Sequence, residues 1–429
     1  MNNMKNTISK GTMNTPRHFT NLFTHVTRTR LNNVLRLATL AAACLALPTH
    51  ALAQSSCPGD LNDDGEVNSA DVGLVLLDYG PCPVFAPKIS SVNPNYGPQT
   101  GGTVFVINGT NLNGATSVTV GGVAATIIAA YPTIIAATAP ASATLGTKDM
   151  VVTTSGGTAF GAFSYGSVSS WATLIEFAPN PAVVTDATMR AAIIATGLAW
   201  HVRDTATQIE MVLVPAGMFV MGCTAANQYG CWDSENPTHS VTLTQAFYMG
   251  RYEVTQEQWV AKMVSNPSFF AGQSDSASRP VEQVSWNTIQ GYLSATSMRL
   301  PSEAEWEYAC RGNTTTAFNN GSSDVATVGT IAWYLSNSES QTHAVGGKVA
   351  NALGLHDMAG NVMEWVNDWY AGYSSGAQTN PLGPVSGSQR VFRGGSWNVS
   401  ATSVRSSDRI SIAPANAGRD LGFRVVRNP

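Results

Sequence analysis

Hydrophobic and polar positions change period several times along the chain, and each change marks a segment. An apolar run, LATLAAACLALP, follows a long polar lead carrying scattered Lys and Arg. It ends at Ala51-Leu52-Ala53, the small-residue pattern of an export leader's cleavage site, and it is too short to span a bilayer. Residues 1–53 are therefore expected to be a signal peptide cleaved after Ala53. The mature chain is expected to be secreted, periplasmic or at a cell surface, with no transmembrane helix. Cys44, with small residues before it, is a weaker alternative as a lipid-bearing position.

Further on, Val72, Val75, Leu76 and Tyr79 share one face at helical spacing. Before them, oxygen-bearing residues alternate in GDLNDDGEVNSAD: Asp60, Asn62, Asp64, Asn68 and Asp71, with Gly65 at the sixth loop position and Glu66 offering a backbone carbonyl. Alternate ligands and a turn glycine are the pattern of a calcium loop. Residues 57–82 resemble a dockerin repeat, of which one copy is visible; the resemblance implies a cohesin-type partner. Cys57 and Cys82 bracket the unit.

Residues 87–166 nearly lose their charges. Short β-branched runs (TVFVINGTNL, SVTVGGVAATII, DMVVTTSGG) alternate with Gly, Asn and Pro turns, the signature of a β-sandwich. The opening ISSVNPNYGPQTGGTVFVINGTNL and the later GTAFGAFSYG resemble an immunoglobulin-like IPT/TIG domain, a spacer or adhesive module. Residues 167–206 read as a connector: a Pro-rich APNPAVV and a short helix in TDATMRAAIIATGLAW.

The remainder, 207–427, mixes both periods and is expected to be one irregular α+β domain. IEMVLVPAGMFVMG and VTLTQAFYMGRYEVT read as strands. In RLPSEAEWEYACRG, Ser302 and Glu305 form a capping box, Trp306, Ala309 and Cys310 share a face, and Gly312 suits the stop. Cys223 and Cys231 bracket a polar loop. In an oxidising compartment, pairing within each bracket (57 with 82, 223 with 231) is the economical expectation, leaving Cys310 as a buried, inert thiol.

Charged residues are only 12% of the 429, and the net charge is −4. That lacks the basic footprint nucleic-acid binding needs.

MVLVPAGMFVMG, YEVTQEQW, PVEQVSW, RLPSEAEWEYACRG, GLHDMAGNVMEWVNDWY, RVFRGGSW and LGFRVVR occur in that order. Together they resemble the formylglycine-generating-enzyme (sulfatase-modifying factor) family, which implies a C-type-lectin-like fold. The whole is thus expected to be multi-domain: a single EF-hand-like unit, an all-β sandwich and this α+β domain. In the family's copper enzymes, two cysteines five apart follow the glycine pair and bind Cu(I), which soft thiolates suit. Here those positions are Val399 and Val404, which have no lone pair, so a redox metal is not expected there. Another branch uses non-haem iron. His239, His343 and His356 with nearby carboxylates would allow two His and one carboxylate, but no H-x-x-E or HExxH spacing supports it.

The resemblance also implies a second calcium site, with Asp357 and Glu364 as side-chain ligands and Gly360 and Val362 as carbonyl ligands. Ser396 and Trp397 are candidates for the groove. Ser396 lacks the G-x-S-x-G elbow of a nucleophile, so a structural hydrogen bond is the better reading. Arg393, Arg405 and Arg409 either line the groove or pair with Asp408 and Asp420. Three functions remain: a calcium-stabilised binding or structural protein with a protein or carbohydrate ligand in the groove; an oxidoreductase with a non-copper metal such as iron; and a scaffold component docked through the dockerin-like unit.

Overall fold

Strict alternation in the β-branched runs decides the first architecture. In the computed structural model, which describes residues 84–224, 229 and 231–429 and the backbone of 66–67 and 80–81, the chain divides into Met1–Val84 and Phe85–Pro429. In the first unit, β1 (Glu66–Val67) pairs antiparallel with β2 (Gly80–Pro81). The leader, Asp60, Asn62, Asp64, Asn68, Asp71, Cys57 and Cys82 lie outside the described residues, as does the side chain of Glu66.

The second unit opens with a β-sandwich. Its strands are β3 (Lys88–Asn93), β4 (Tyr96–Pro98), β5 (Val104–Thr110), β6 (Ser117–Val120), β7 (Val123–Ala124), β8 (Thr126–Ala130), β9 (Ile134–Thr138), β10 (Gly146–Thr154) and β11 (Gly157–Gly166). They form sheets ordered β4-β11-β10-β6-β7 and β3-β5-β9-β8. Every second residue turns inward, so Phe105, Ile107, Ile135, Met150, Val152 and Phe163 share one core. The Phe163 ring lies 5.4 Å from Phe105 and 5.1 Å from Tyr165, tilted and edge-on, the geometry aromatic quadrupoles favour.

Residues 167–206 are not a connector. β12 (Ala172–Glu176), α1 (Ala187–Ala195) and β13 (His201–Asp204) fold into the large domain. The sheet runs β12-β13-β14-β17-β23, with β14 (Glu210–Val214), β17 (Phe247–Gly250) and β23 (Val426–Arg427). α1 starts at Asp186, whose carboxylate accepts from Thr188 and Met189 N–H, and it buries Met189 and Ile193 with Trp200 and Val202 in the domain's main core. Both strands are short, which hid their pattern: their partners, not their own alternation, make them strands. Tyr96 of the sandwich donates to Phe177 O at 3.0 Å, tying this region to the sandwich.

The rest of the domain follows in order: β15 (Gly217–Met221), β16 (His239–Leu243), α2 (Gln256–Met263), α3 (Trp286–Thr296), α4 (Glu303–Arg311), the single turn α5 (Val328–Ile331), β18 (Met363–Trp369), β19 (Gln378–Thr379), β20 (Arg390–Arg393), β21 (Arg409–Ile412) and β22 (Leu421–Gly422). Two further sheets result, β15-β16-β19 and β21-β20-β18-β22. α4 starts as its sequence requires: Ser302 Oγ accepts from Glu305 N at 3.1 Å and Glu305 returns to Ser302 N at 2.8 Å. Gly312 ends it at φ +50°. No helix of the described residues is long and apolar enough to cross a membrane.

Candidate functional site

β20 runs straight into Gly394 and Gly395, and both take positive φ (+93° and +67°). A side chain at Gly395 would collide with the Ser403 carbonyl oxygen, and one at Gly394 would sit 3.1 Å from the Trp306 ring. The glycine pair therefore makes a corner only it can make. The corner drives Ser396 and Trp397 inward. Both are buried and do not form the wall of an open groove, which corrects their reading as groove residues. Ser396 Oγ accepts from Asn398 N (3.3 Å) and lies 3.5 Å from Asp420 Oδ2. Trp397 donates Nε1–H to Arg419 O at 3.2 Å, and its own carbonyl accepts from Ser338 Oγ at 2.8 Å. Ser396 thus has no imidazole to take its proton, and its hydroxyl holds the bend.

What the corner presents to solvent is different. Phe269 is 57% exposed. The Arg419 guanidinium lies 5.7 Å from its ring centroid and 5.4 Å from that of Trp397. Behind them sits buried Glu282, accepting from Phe269 N (3.1 Å) and Phe270 N (3.0 Å). Burial, outweighing those bonds and helped by Asp420, pushes its carboxyl up to about 7. Glu282 is carried by PVEQVSW, but nothing in that motif shows that it meets the Phe269–Phe270 turn 12 and 13 positions earlier.

Val399 and Val404 come together. Val404 is buried with Ala317, Phe318, Val328, Ile331, Ala332 and Ala359, and Val399 packs against the same cluster. The two valines are part of an apolar plug.

The arginines are committed to carboxylates. Arg393 pairs with Glu307 and, at 3.4 Å, Glu303. Arg409 holds Glu303 with two bonds of 2.6 and 2.7 Å. Arg405 grips Glu235 at 2.6 Å through both nitrogens and reaches Asp408 at 3.5 Å. Asp420 takes none of them. All three guanidiniums are buried, where a bidentate fork is needed to offset lost hydration.

The three histidines are each fixed on a backbone carbonyl: His239 Nδ1 on Pro237 O (3.2 Å), His343 Nε2 on Ser338 O (2.8 Å), His356 Nδ1 on Lys348 O (2.8 Å). Among the described residues no three His, Cys, Asp or Glu side chains cluster as a metal site would require. In the segment 357–364, Asp357 is buried, and its Oδ2 accepts from Gly346 N at 2.6 Å while Oδ1 has no partner. Burial pushes this carboxyl up to about 6, with Glu364 adding to the effect. Glu364 is otherwise committed: Arg424 holds it at 2.7 and 2.5 Å and Trp306 Nε1 donates to it at 2.6 Å. A calcium ion would find an open oxygen on Asp357 and none on Glu364. Glu253, buried beside them, accepts from Asn361 Nδ2 (2.7 Å) and Val362 N (3.0 Å). Burial and its two carboxylate neighbours push it well above the usual range.

Cys223 and Cys231 form a disulfide. Cys310 is a buried free thiol, pushed by burial up to about 11, far from the reactive thiolate range.

Residues 199–429 match the sulfatase-modifying factor enzyme 1-like domain, and residues 87–169 the IPT/TIG domain. The chain belongs to the sulfatase-modifying-factor family. Its similarity to the "Chaperone protein LppX" of Paenibacillus barcinonensis is 30% identity over 286 residues, 52% of this chain and 91% of that protein. With the formylglycine-generating enzyme of Mus musculus it is 30% over 280 residues, 51% of this chain and 74% of the enzyme. With the serine/threonine-protein kinase pkn1 of Chlamydia caviae it is 31% over 253 residues, but the chain spans only 38% of that kinase. Among solved structures, Treponema denticola variable protein 1 aligns with a TM-score of 0.47 at 33% identity, covering 52% of this chain and 95% of that one. PvdO from Pseudomonas aeruginosa aligns with 0.45 at 28%, covering 53% and 98%. The sequence relatives include one named as a chaperone and one named as an enzyme.

Proposed function

We propose that this is an exported, multi-module protein whose sulfatase-modifying-factor domain binds a ligand or supports an assembly and does not run the family's copper oxidation. The apolar plug built by Val399 and Val404 carries the reading. Cu(I) needs soft sulfur donors, and two hydrocarbon side chains in an apolar cluster with Phe318 and Ile331 offer none. The buried serine and the carbonyl-bound histidines supply no alternative nucleophile or base at the corner.

The exposed pair Phe269 and Arg419 is a surface fit for an aromatic–cation contact with a protein or carbohydrate ligand. Calcium enters this reading in two places: the loop 60–71, which would stabilise the dockerin-like unit, and the orphaned Asp357 oxygen, which a hard cation would satisfy. The leader and the dockerin-like repeat make a cohesin-bearing partner outside the cell the matching expectation. Elemental analysis of protein purified without chelator tests the proposal. Calcium alone, with no oxygen uptake in the presence of thiol peptides, is the expected result. Stoichiometric iron or copper would transfer the favoured reading to an oxidoreductase.

A further inference from the structure

A second concavity, sharing no residue with the Ser396 corner, lies between β16, the start of α4, the end of β18 and the 371–384 loop. It encloses about 330 Å³. Two of its lining side chains, His239 and Asp368, are each only 4% exposed and each keeps one polar atom without a partner among the described residues. Asp368 Oδ2 accepts from Glu303 N at 2.8 Å, and among the described residues Oδ1 accepts from no donor. A Cβ at Gly383 would lie 3.2 Å from that oxygen, and Gly383 sits at φ +69°, so the glycine keeps the approach to Oδ1 open. His239 Nδ1 faces the Pro237 carbonyl, which can only accept. Neutral His239 therefore carries its hydrogen on Nδ1 and leaves Nε2 as an acceptor.

The buried donors on the same wall are already used. Arg409 is bound to Glu303 through Nε and Nη2, and to Ser234 O and Ala371 O through Nη1. Tyr373 donates its hydroxyl to Glu303 at 3.1 Å. The cavity thus offers acceptors, one of them a carboxyl with no guanidinium of its own, beside apolar surface from Met221, Leu382 and Pro381. Its one guanidinium, that of Arg409, already holds Glu303, so an anion meets no unpaired cation there. Sugars, whose hydroxyls both donate and accept, would be only half matched.

We propose that this cavity is a binding site for a small organic ammonium, its N–H groups donated to Asp368 Oδ1 and His239 Nε2 and its carbon body laid on Met221 and Leu382. The proposal goes beyond the ligand reading of the corner and survives its failure. It is supported by the state of the carboxyl: burial, with Glu303 next to it, pushes Asp368 up to about 7, the signature of a buried charge lacking a counter-ion.

Calorimetric titration of the full chain with n-butylammonium, butan-1-ol, butyrate and glucose tests it. Butylammonium is expected to bind in preference to the other three. Asp368→Asn keeps an oxygen for the Glu303 N–H and removes the charge; it should weaken butylammonium at least tenfold and leave butan-1-ol unchanged. For the unaltered protein, affinity should fall about tenfold from pH 8 to pH 6 as the carboxyl takes up its proton. Glu303, Glu305, Arg409 and Arg390 are the other charged groups facing Asp368. Absence of butylammonium binding, equal binding of butyrate or glucose, or an affinity indifferent to both Asp368→Asn and pH would overturn the proposal. The pH series decides the matter even if the variant does not fold.

Discussion

Replacing Arg424 by methionine isolates the electrostatics behind the 357–364 segment. Arg424 is fully buried. It makes two charge-assisted bonds to Glu364, of 2.7 and 2.5 Å, and donates to Gly250 O (3.0 Å) and His356 O (2.9 Å). Methionine fills similar volume but leaves Glu364 with only the Trp306 indole, beside Glu253 and Asp357. Breaking a buried pair from one side costs about 3–5 kcal/mol. At about 2–4 °C per kcal/mol for a domain of this size, the melting temperature should drop by roughly 6–20 °C at pH 7. The loss must depend on pH. Arg424 holds down the raised Glu253 and Asp357 carboxyls; without the guanidinium they rise further in the folded state, so folding is least impaired below their unfolded values and most impaired above their folded ones. The gap to the unaltered protein should therefore narrow as pH falls from 7 to 5. All ten tryptophans lie between Trp171 and Trp397, so tryptophan fluorescence during denaturant titration reports on this domain and not on the sandwich. Adding Glu364→Gln to Arg424→Met should recover much of the loss. A deficit under 1 kcal/mol, one that does not change with pH, or a double variant no better than the single would refute the reasoning.

Gly395→Ala should destabilise the domain by more than 1 kcal/mol, because positive φ and the Ser403 carbonyl both oppose a side chain; Gly372→Ala, which meets open space, is the neutral control in the same melt. Reducing the Cys223–Cys231 disulfide frees a loop of nine residues and should remove about 2.5 kcal/mol on the chain-entropy account, read as a lower denaturant midpoint in dithiothreitol than without it. Glu282 is raised to about 7 in the folded state, above the ordinary glutamate near 4.3. Its contribution is thus favourable at low pH and is lost as pH rises from about 4 to 7. Glu282→Gln should raise the melting temperature relative to the unaltered protein at pH 8 and leave the two equal near pH 4.

Local chemistry was legible in the sequence. The Ser302–Glu305 box, the period-two runs of the sandwich and the Cys223–Cys231 bracket each depend on residues within ten positions of one another, so their spacing alone carries the signal. Long-range pairing was not. Arg405 reaches Glu235 across 170 positions, and the acids first expected to meet the arginines were the nearby Asp408 and Asp420. Residues 172–204 became strands and a helix of the domain because the neighbouring β14 and the distant Tyr96 receive them, while their own composition reads as a connector. Ser396 and Trp397 were placed correctly on the corner and wrongly on its open side. A glycine pair announces a bend, but which way the next side chains point depends on Ser338, Asp420 and Arg419 arriving from elsewhere. The ammonium cavity joins His239 of β16 to Asp368 of β18, and no motif links them.

The central claim is that hydrocarbon has replaced the metal-binding sulfurs at the corner. Its most direct test is titration of the purified full chain with Cu(I) against a competing chelator, followed by incubation with oxygen and a Cys-x-Pro-x-Arg peptide, monitored by mass spectrometry. The account predicts no copper bound above background and an unchanged thiol peptide, with Cu(I) binding appearing only in the Val399→Cys, Val404→Cys double variant. Tight one-to-one Cu(I) binding, or aldehyde formed by the unaltered protein, would contradict it.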